Sequence, residues 1–137
     1  MKITIDETAG FCWGVVRTID TVEEILKNNT EKDVYILGEI IHNPPEIHRL
    51  EEKGLKTIVH EDLDRIDHDN SIVIIRAHGE PPKTYAEADR LGLNLIDATC
   101  PLVKNLHAKV REYYESGYQI VIFGKKEHAE VIGIRGV

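Results

Sequence analysis

Apolar positions recur along this chain in two periods. Val15, Val16, Ile19, Val22, Ile25 and Leu26 fall at helical spacing across Val15 to Asn28. Pro44 to Lys53 reads as a short helix opened by proline and stopped by Gly54. Pro81 to Leu91 is helical up to Gly92, and Pro101 to Ser116 is helical up to Gly117. Between the helices lie short β-branched or aromatic runs: Lys2 to Asp6, Val34 to Leu37, Leu55 to Val59, Ser71 to Ile75, Asn94 to Ala98 and Tyr118 to Phe123. Lys126 to Ile132 opens one more helix. Strands and helices alternating in this way predict βαβ units, a mostly parallel sheet and an α/β fold. Glu61 to Asn70 is acidic and polar and reads as a loop or helical turn. Its aspartates lack the glycine and spacing of an EF-hand loop. Ile5-Asp6, Thr8 and Cys12 before the first helix echo Ile96-Asp97, Thr99 and Cys100 before the fourth. The chain stops soon after its last helix opens, an odd end for a βαβ fold, so it is expected to be a piece of a longer protein.

Composition narrows the function classes. The 137 residues are 42% hydrophobic and 30% charged, a globular and not a disordered profile. A net charge of −7 argues against a broad electrostatic grip on nucleic acid. No apolar run approaches the roughly 20 residues of a membrane helix. The start, Met1-Lys2-Ile3-Thr4-Ile5-Asp6, has no signal-peptide core, so the expected location is cytoplasmic. Two cysteines far apart, Cys12 and Cys100, do not make a disulfide framework. They are inert core residues or they carry chemistry.

The junction after each strand separates these alternatives. The first expected strand runs into Gly10-Phe11-Cys12-Trp13-Gly14, and the second into Gly38-Glu39-Ile40-Ile41-His42. Ser71 to Ile75 runs into Arg76-Ala77-His78-Gly79, and Asn94 to Ala98 into Thr99-Cys100-Pro101. Tyr118 to Phe123 runs into Gly124-Lys125-Lys126-Glu127-His128-Ala129-Glu130. In a parallel sheet all such turns gather at the C-terminal edge, where α/β folds bind ligands. Helix N-termini there favour anions and thiolates. A lone cysteine is most often a small buried hydrophobe, and a lone histidine most often a structural or surface residue. Two cysteines and three histidines at one edge shift that balance. Glu130, two residues after His128, is a candidate proton carrier, although a solvated carboxylate at a helix start is common. His48, His60, His68 and His107 fall elsewhere and receive no site role. Trp13 and the Glu112-Tyr113-Tyr114 stretch read as packing residues. From the residues alone, a non-redox module holding an anion or a zinc ion fits as well as an enzyme.

Five segments in register resemble a known family. They are Ala-Gly-Phe-Cys-Trp-Gly-Val-Val-Arg at 9–17, Leu-Gly-Glu-Ile-Ile-His-Asn-Pro at 37–44 and Ala-His-Gly at 77–79, then Asp-Ala-Thr-Cys-Pro-Leu-Val at 97–103 and His-Ala-Glu-Val-Ile-Gly at 128–133. The chain resembles the N-terminal half of 4-hydroxy-3-methylbut-2-enyl diphosphate reductases, the last enzymes of the methylerythritol phosphate route to isoprenoids. The resemblance implies three similar α/β domains in a trefoil around a [4Fe–4S] cluster. Residues 1–97 would form the first domain and 98–137 the beginning of the second. Cys12 and Cys100 would be two of three cluster ligands, the third lying outside this segment. His42, His78 and His128 would bind the diphosphate, and Glu130 would relay protons. The implied reaction removes the allylic hydroxyl reductively, giving isopentenyl and dimethylallyl diphosphate. No nucleotide or flavin motif is visible, so electrons would come from an external donor such as ferredoxin or flavodoxin. The segment alone is expected to be inactive.

Overall fold

The computed structural model describes residues 2–6, 9–29 and 31–137. Its elements are α1 (Trp13–Asn28), β1 (Asp33–Leu37), α2 (Pro44–Glu52), β2 (Leu55–Ile58), β3 (Ser71–Ile75), α3 (Pro82–Leu91), β4 (Asn94–Asp97), α4 (Pro101–Glu115) and α5 (Ala129–Arg135), with one 3-10 turn over His60–Asp62. The four strands form one parallel sheet in the order β2-β1-β3-β4. The α/β expectation therefore holds. No described helix is long and apolar enough to cross a membrane.

The alternation of side chains across the pleat divides the core. Val34 and Ile36 of β1 and Ile72 and Ile74 of β3 turn to one face, where Ile19 and Val22 of α1 and Leu50 of α2 cover them. Leu37, Val73 and Ile75 turn to the other, against Ile58, Leu63, Tyr85 and Leu91. Central strand β3 is buried along its whole length. That is why its sequence is a continuous apolar run and not an alternation.

Two expected strands are absent among the described residues. Residues 2–6 and 118–123 pair with no other strand. Ile3 is 75% exposed, Val121 84% and Phe123 fully so. Their β-propensity is real, but a strand needs a neighbour to receive its backbone hydrogen bonds, and the sheet closes at β2 and β4 without them. Trp13 is also mostly exposed, as are Tyr113 and Tyr114, so none of them packs in a core within this chain. The Thr8 part of the sequence echo lies outside the described residues.

The α1 helix is tied to its neighbours at two points. Arg49 Nη1 and Lys53 Nζ both reach Glu23 Oε1 at 2.5 Å, linking α2 to α1. The hydroxyl of Thr18, fully buried, donates to the Gly14 and Ala98 carbonyls, linking α1 to the end of β4. The second link fixes where the α1 N-terminus stands relative to α4.

Candidate functional site

The C-terminal edge of the sheet carries the site. Gly38 ends β1 with a left-handed φ of 73°, and His42 follows at the end of that loop. Asn43 then caps α2, its side chain accepting from the Glu46 amide. His78 stands in the loop after β3, and His128 caps α5, accepting at Nδ1 from the Glu130 amide at 3.4 Å. These three loops bring the imidazoles together. Ring centroids lie 6.0 Å apart for His42–His78, 6.0 Å for His42–His128 and 5.8 Å for His78–His128. The sequence expectation that they converge holds, although the strand expected to lead into His128 is absent.

The three rings differ in setting. His42 is open to solvent, with Nδ1 3.3 Å from the Glu39 carboxylate. His78 is half-buried, and its Nδ1 is enclosed without a partner. Burial lowers the basicity of His78, the nearby Arg76 adds to this, and Glu130 pulls the other way. A neutral His78 can donate at one ring nitrogen and accept at the other. Glu130 lies in the first turn of α5, open to solvent, and its charge reaches both His78 and His107.

Both cysteines are free thiols and both cap helices: Cys12 precedes α1 and is exposed, while Cys100 precedes α4 and is buried. Gly14 explains their relation. A Cβ at Gly14 would stand 2.7 Å from Cys100 Sγ, so the Cys100 sulfur packs directly on the first turn of α1. The Cys100 amide donates to the Ala77 carbonyl at 3.0 Å, which joins the α4 start to the loop bearing His78. Next to Cys100, Asp97 accepts from Lys104 Nζ at 2.6 Å and from the Thr99 amide at 2.9 Å. Burial pushes the Asp97 carboxyl up, but the bonds from Lys104 and Thr99 outweigh it and hold it below the usual range. Among the described residues, no three His, Cys, Asp or Glu side chains form a complete metal site.

A cleft of about 540 Å³ is lined by His42, Arg76, Lys125, Glu127, His128 and Ala129. Phe11, Val15, Ile41, His42, Asn43 and His78 line a smaller one of about 210 Å³. His42 belongs to both, so the histidine cluster faces the α1 N-terminal region on one side and two basic side chains on the other. Sequence reasoning noted only the extra positive charge that Arg76 brings next to Ala77-His78, and assigned nothing to Glu80. Glu80 is 3% exposed and accepts from His60 Nε2 at 2.9 Å. The one signal for the pair was their i, i+4 spacing beside His78. The remaining histidines stand where no role was expected. His48 pairs with Glu51 and Glu52 on the surface of α2, and His68 bonds the Leu63 carbonyl. His107 on α4 packs against Gly79 and Gly133.

Comparison with known proteins gives this edge a family. The model of the LytB protein family matches residues 3–137. A 4-hydroxy-3-methylbut-2-enyl diphosphate reductase of Chloroherpeton thalassium is 47% identical over 136 residues, covering 99% of this chain and 42% of that protein. One from Caldanaerobacter subterraneus is 46% identical, covering 99% of this chain and 47% of that protein. The solved E-1-hydroxy-2-methyl-but-2-enyl-4-diphosphate reductase from Plasmodium falciparum is similar with a TM-score of 0.83 and 39% identity, over 95% of this chain and 40% of that one. A second solved structure, titled (E)-4-hydroxy-3-methyl-but-2-enyl diphosphate reductase, has a TM-score of 0.82 and 44% identity, over 98% and 46%. The chain spans less than half the length of the curated relatives it matches. On the match to the family model, the chain belongs to the LytB protein family.

Proposed function

We propose that this chain supplies one side of the active site of a 4-hydroxy-3-methylbut-2-enyl diphosphate reductase, the remainder coming from chain outside residues 1–137. The observation that carries the reading is the cluster of three imidazoles within 6.0 Å of one another, on loops joined to both cysteine-capped helices. We read residues 1–97 as a first α/β domain and 98–137 as the beginning of a second. In support, the sheet ends at Asp97 and α4 buries none of its residues fully within this chain.

In this reading His42, His78 and His128 hold the diphosphate by N–H donation to its oxygens. Cys12 and Cys100 would be two of the ligands that hold a [4Fe–4S] cluster. Their fit rests on the sulfur of Cys100 lying against the Cys12-capped turn, with no other cysteine in the chain to complete the set. Such a cluster, when bound, would pass on two electrons from an external donor of the ferredoxin or flavodoxin class. Two electrons and two protons convert the allylic alcohol into water and an allyl C–H. Glu130, beside His128, delivers a proton to the departing hydroxyl, which leaves as water, and supports protonation of the allyl carbon. The three histidine-bearing loops orient the diphosphate by gathering their imidazoles at one edge.

The test is iron and sulfide analysis of the full-length protein after anaerobic reconstitution. About four irons per chain are expected, with loss of the cluster absorption in Cys12→Ser and in Cys100→Ser. Zinc without iron or sulfide, or an unaltered spectrum in both variants, would contradict the cluster assignment and favour a non-redox anion- or zinc-binding module.

A further inference from the structure

Arg76 is the first residue past β3 and lies two residues before His78. Its side chain is only 15% exposed. The guanidinium tucks beneath Gly38, where any Cβ would overlap it. Nη1 lies 3.4 Å from the Glu39 carbonyl oxygen, and Nη2 lies 3.5 Å from Glu80 Oε1. Nε is buried and has no partner. A guanidinium has five N–H donors, and good N–H···O bonds run about 2.7–3.2 Å. Both of its contacts are longer than that, so most of its donor capacity is unspent.

That capacity borders the cleft shared by His42, His128 and Lys125. Three features suit it to an anion. The first is a permanent charge, whereas an imidazole carries little charge above pH 7 and His78 is held still lower. The second is a planar fork that matches two oxygens of one phosphate. The third is a fixed position. Glu80 is buried behind it, also bonded by His60, and holds the guanidinium by charge. Glu127 on the same cleft is the opposing carboxylate, and Lys125 offsets it. The contact also pairs the buried Glu80 carboxylate with a permanent cation; without the arginine its side-chain partners would be His60 and Thr84.

Resting on the diphosphate reading of this cleft, we infer that Arg76 is a further diphosphate-binding residue, a permanently charged donor to phosphate oxygens alongside His42 and His128. A residue that only tied the two loops together would affect folding and turnover, not anion affinity as such.

The test is calorimetric titration of full-length protein with inorganic pyrophosphate at pH 7.5. Removing arginine alone strands the Glu80 carboxylate, so the informative variant is Arg76→Met with Glu80→Gln. Affinity should fall about tenfold or more in the double variant. Glu80→Gln, which keeps the guanidinium and loses the carboxylate that holds it, should lose less affinity than the double variant, and Arg76→Lys should recover part of the loss. With the allylic diphosphate, KM should rise in the double variant while kcat changes little. Wild-type pyrophosphate affinity in the double variant, alongside a clear loss in His128→Ala, would overturn the role of Arg76 and leave the diphosphate reading standing. No pyrophosphate binding by the wild-type protein would overturn both.

Discussion

Residues 13–97 and residues 98–137 carry the same kinds of apolar run and come to different ends. Ser71–Ile75 sits between β1 and β4 and is buried at every position. Tyr118 to Phe123 has a comparable β-branched and aromatic content, yet Tyr118, Val121 and Phe123 stand exposed and pair with nothing in the sheet. Helices repeat the contrast. Thr18, Ile19 and Val22 of α1 are buried, while α4 has no buried residue and leaves Leu102 at 71% exposure. Strand propensity is therefore a local preference that becomes structure only where a neighbouring strand and a covering helix are supplied. In the first region this chain supplies both. In the second, we propose that chain beyond residue 137 does so.

Substitutions in the two regions should reveal the difference, the largest effect first. Ile74→Ala removes a fully buried side chain from the central strand and should cost about 2–5 kcal/mol in urea unfolding. A cost below 1 kcal/mol would mean that the sheet is not the stabilising centre. Gly14→Ala tests the seam between the regions. Its new methyl group would press on Cys100 Sγ at 2.7 Å, and overpacking of this kind costs about 1–3 kcal/mol. Unchanged stability would place the two helices further apart than described.

Acid provides a gentler probe. The folded-state basicity of His78 and His107 lies below the ordinary value of 6.5, so the unfolded chain binds more protons as the pH drops through 6.5. Their contribution is complete above that pH and declines below it. Asp97 acts in a lower window. Its folded carboxyl is held under 3.8, so its contribution is present above 3.8 and is lost as pH falls through the folded value. Stability should fall in two stages on acidification, and Asp97→Asn should reduce the second stage only, the paired carboxylates of Glu23, Asp33, Glu46 and Glu87 supplying the rest of it. A single transition unaffected by Asp97→Asn would contradict the Lys104–Asp97 assignment. The smallest effect is expected from Val121→Ala in the 137-residue chain, within about 0.5 kcal/mol, because the side chain is already in water. A larger cost would show that 118–123 is packed.

The sheet region was legible because each of its elements announces itself locally. Proline or an Asn cap opens α2, glycine closes α3, and β3 is apolar without interruption. Three of the site histidines were legible for a topological reason: parallel strands deliver their following loops to one edge. The absent strands at 2–6 and 118–123 were not legible, since the presence of a pairing partner is a property of the whole fold. The charge of Arg76 was legible, but its contacts and those of Glu80 were not, for a related reason. Their meeting with His60 and with Gly38 joins residues from three loops, and sequence spacing records only the i, i+4 part of it.

The central claim is that this edge holds a diphosphate and protonates a leaving hydroxyl. Its most direct test is turnover of 4-hydroxy-3-methylbut-2-enyl diphosphate by the full-length, anaerobically reconstituted protein with a chemical reductant, wild type against Glu130→Gln. The wild type should release isopentenyl and dimethylallyl diphosphate. Glu130→Gln should keep the cluster absorption and lose turnover by about 10²-fold or more, the usual scale for a general acid. No product from the loaded wild type, or near-normal turnover by Glu130→Gln, would contradict it.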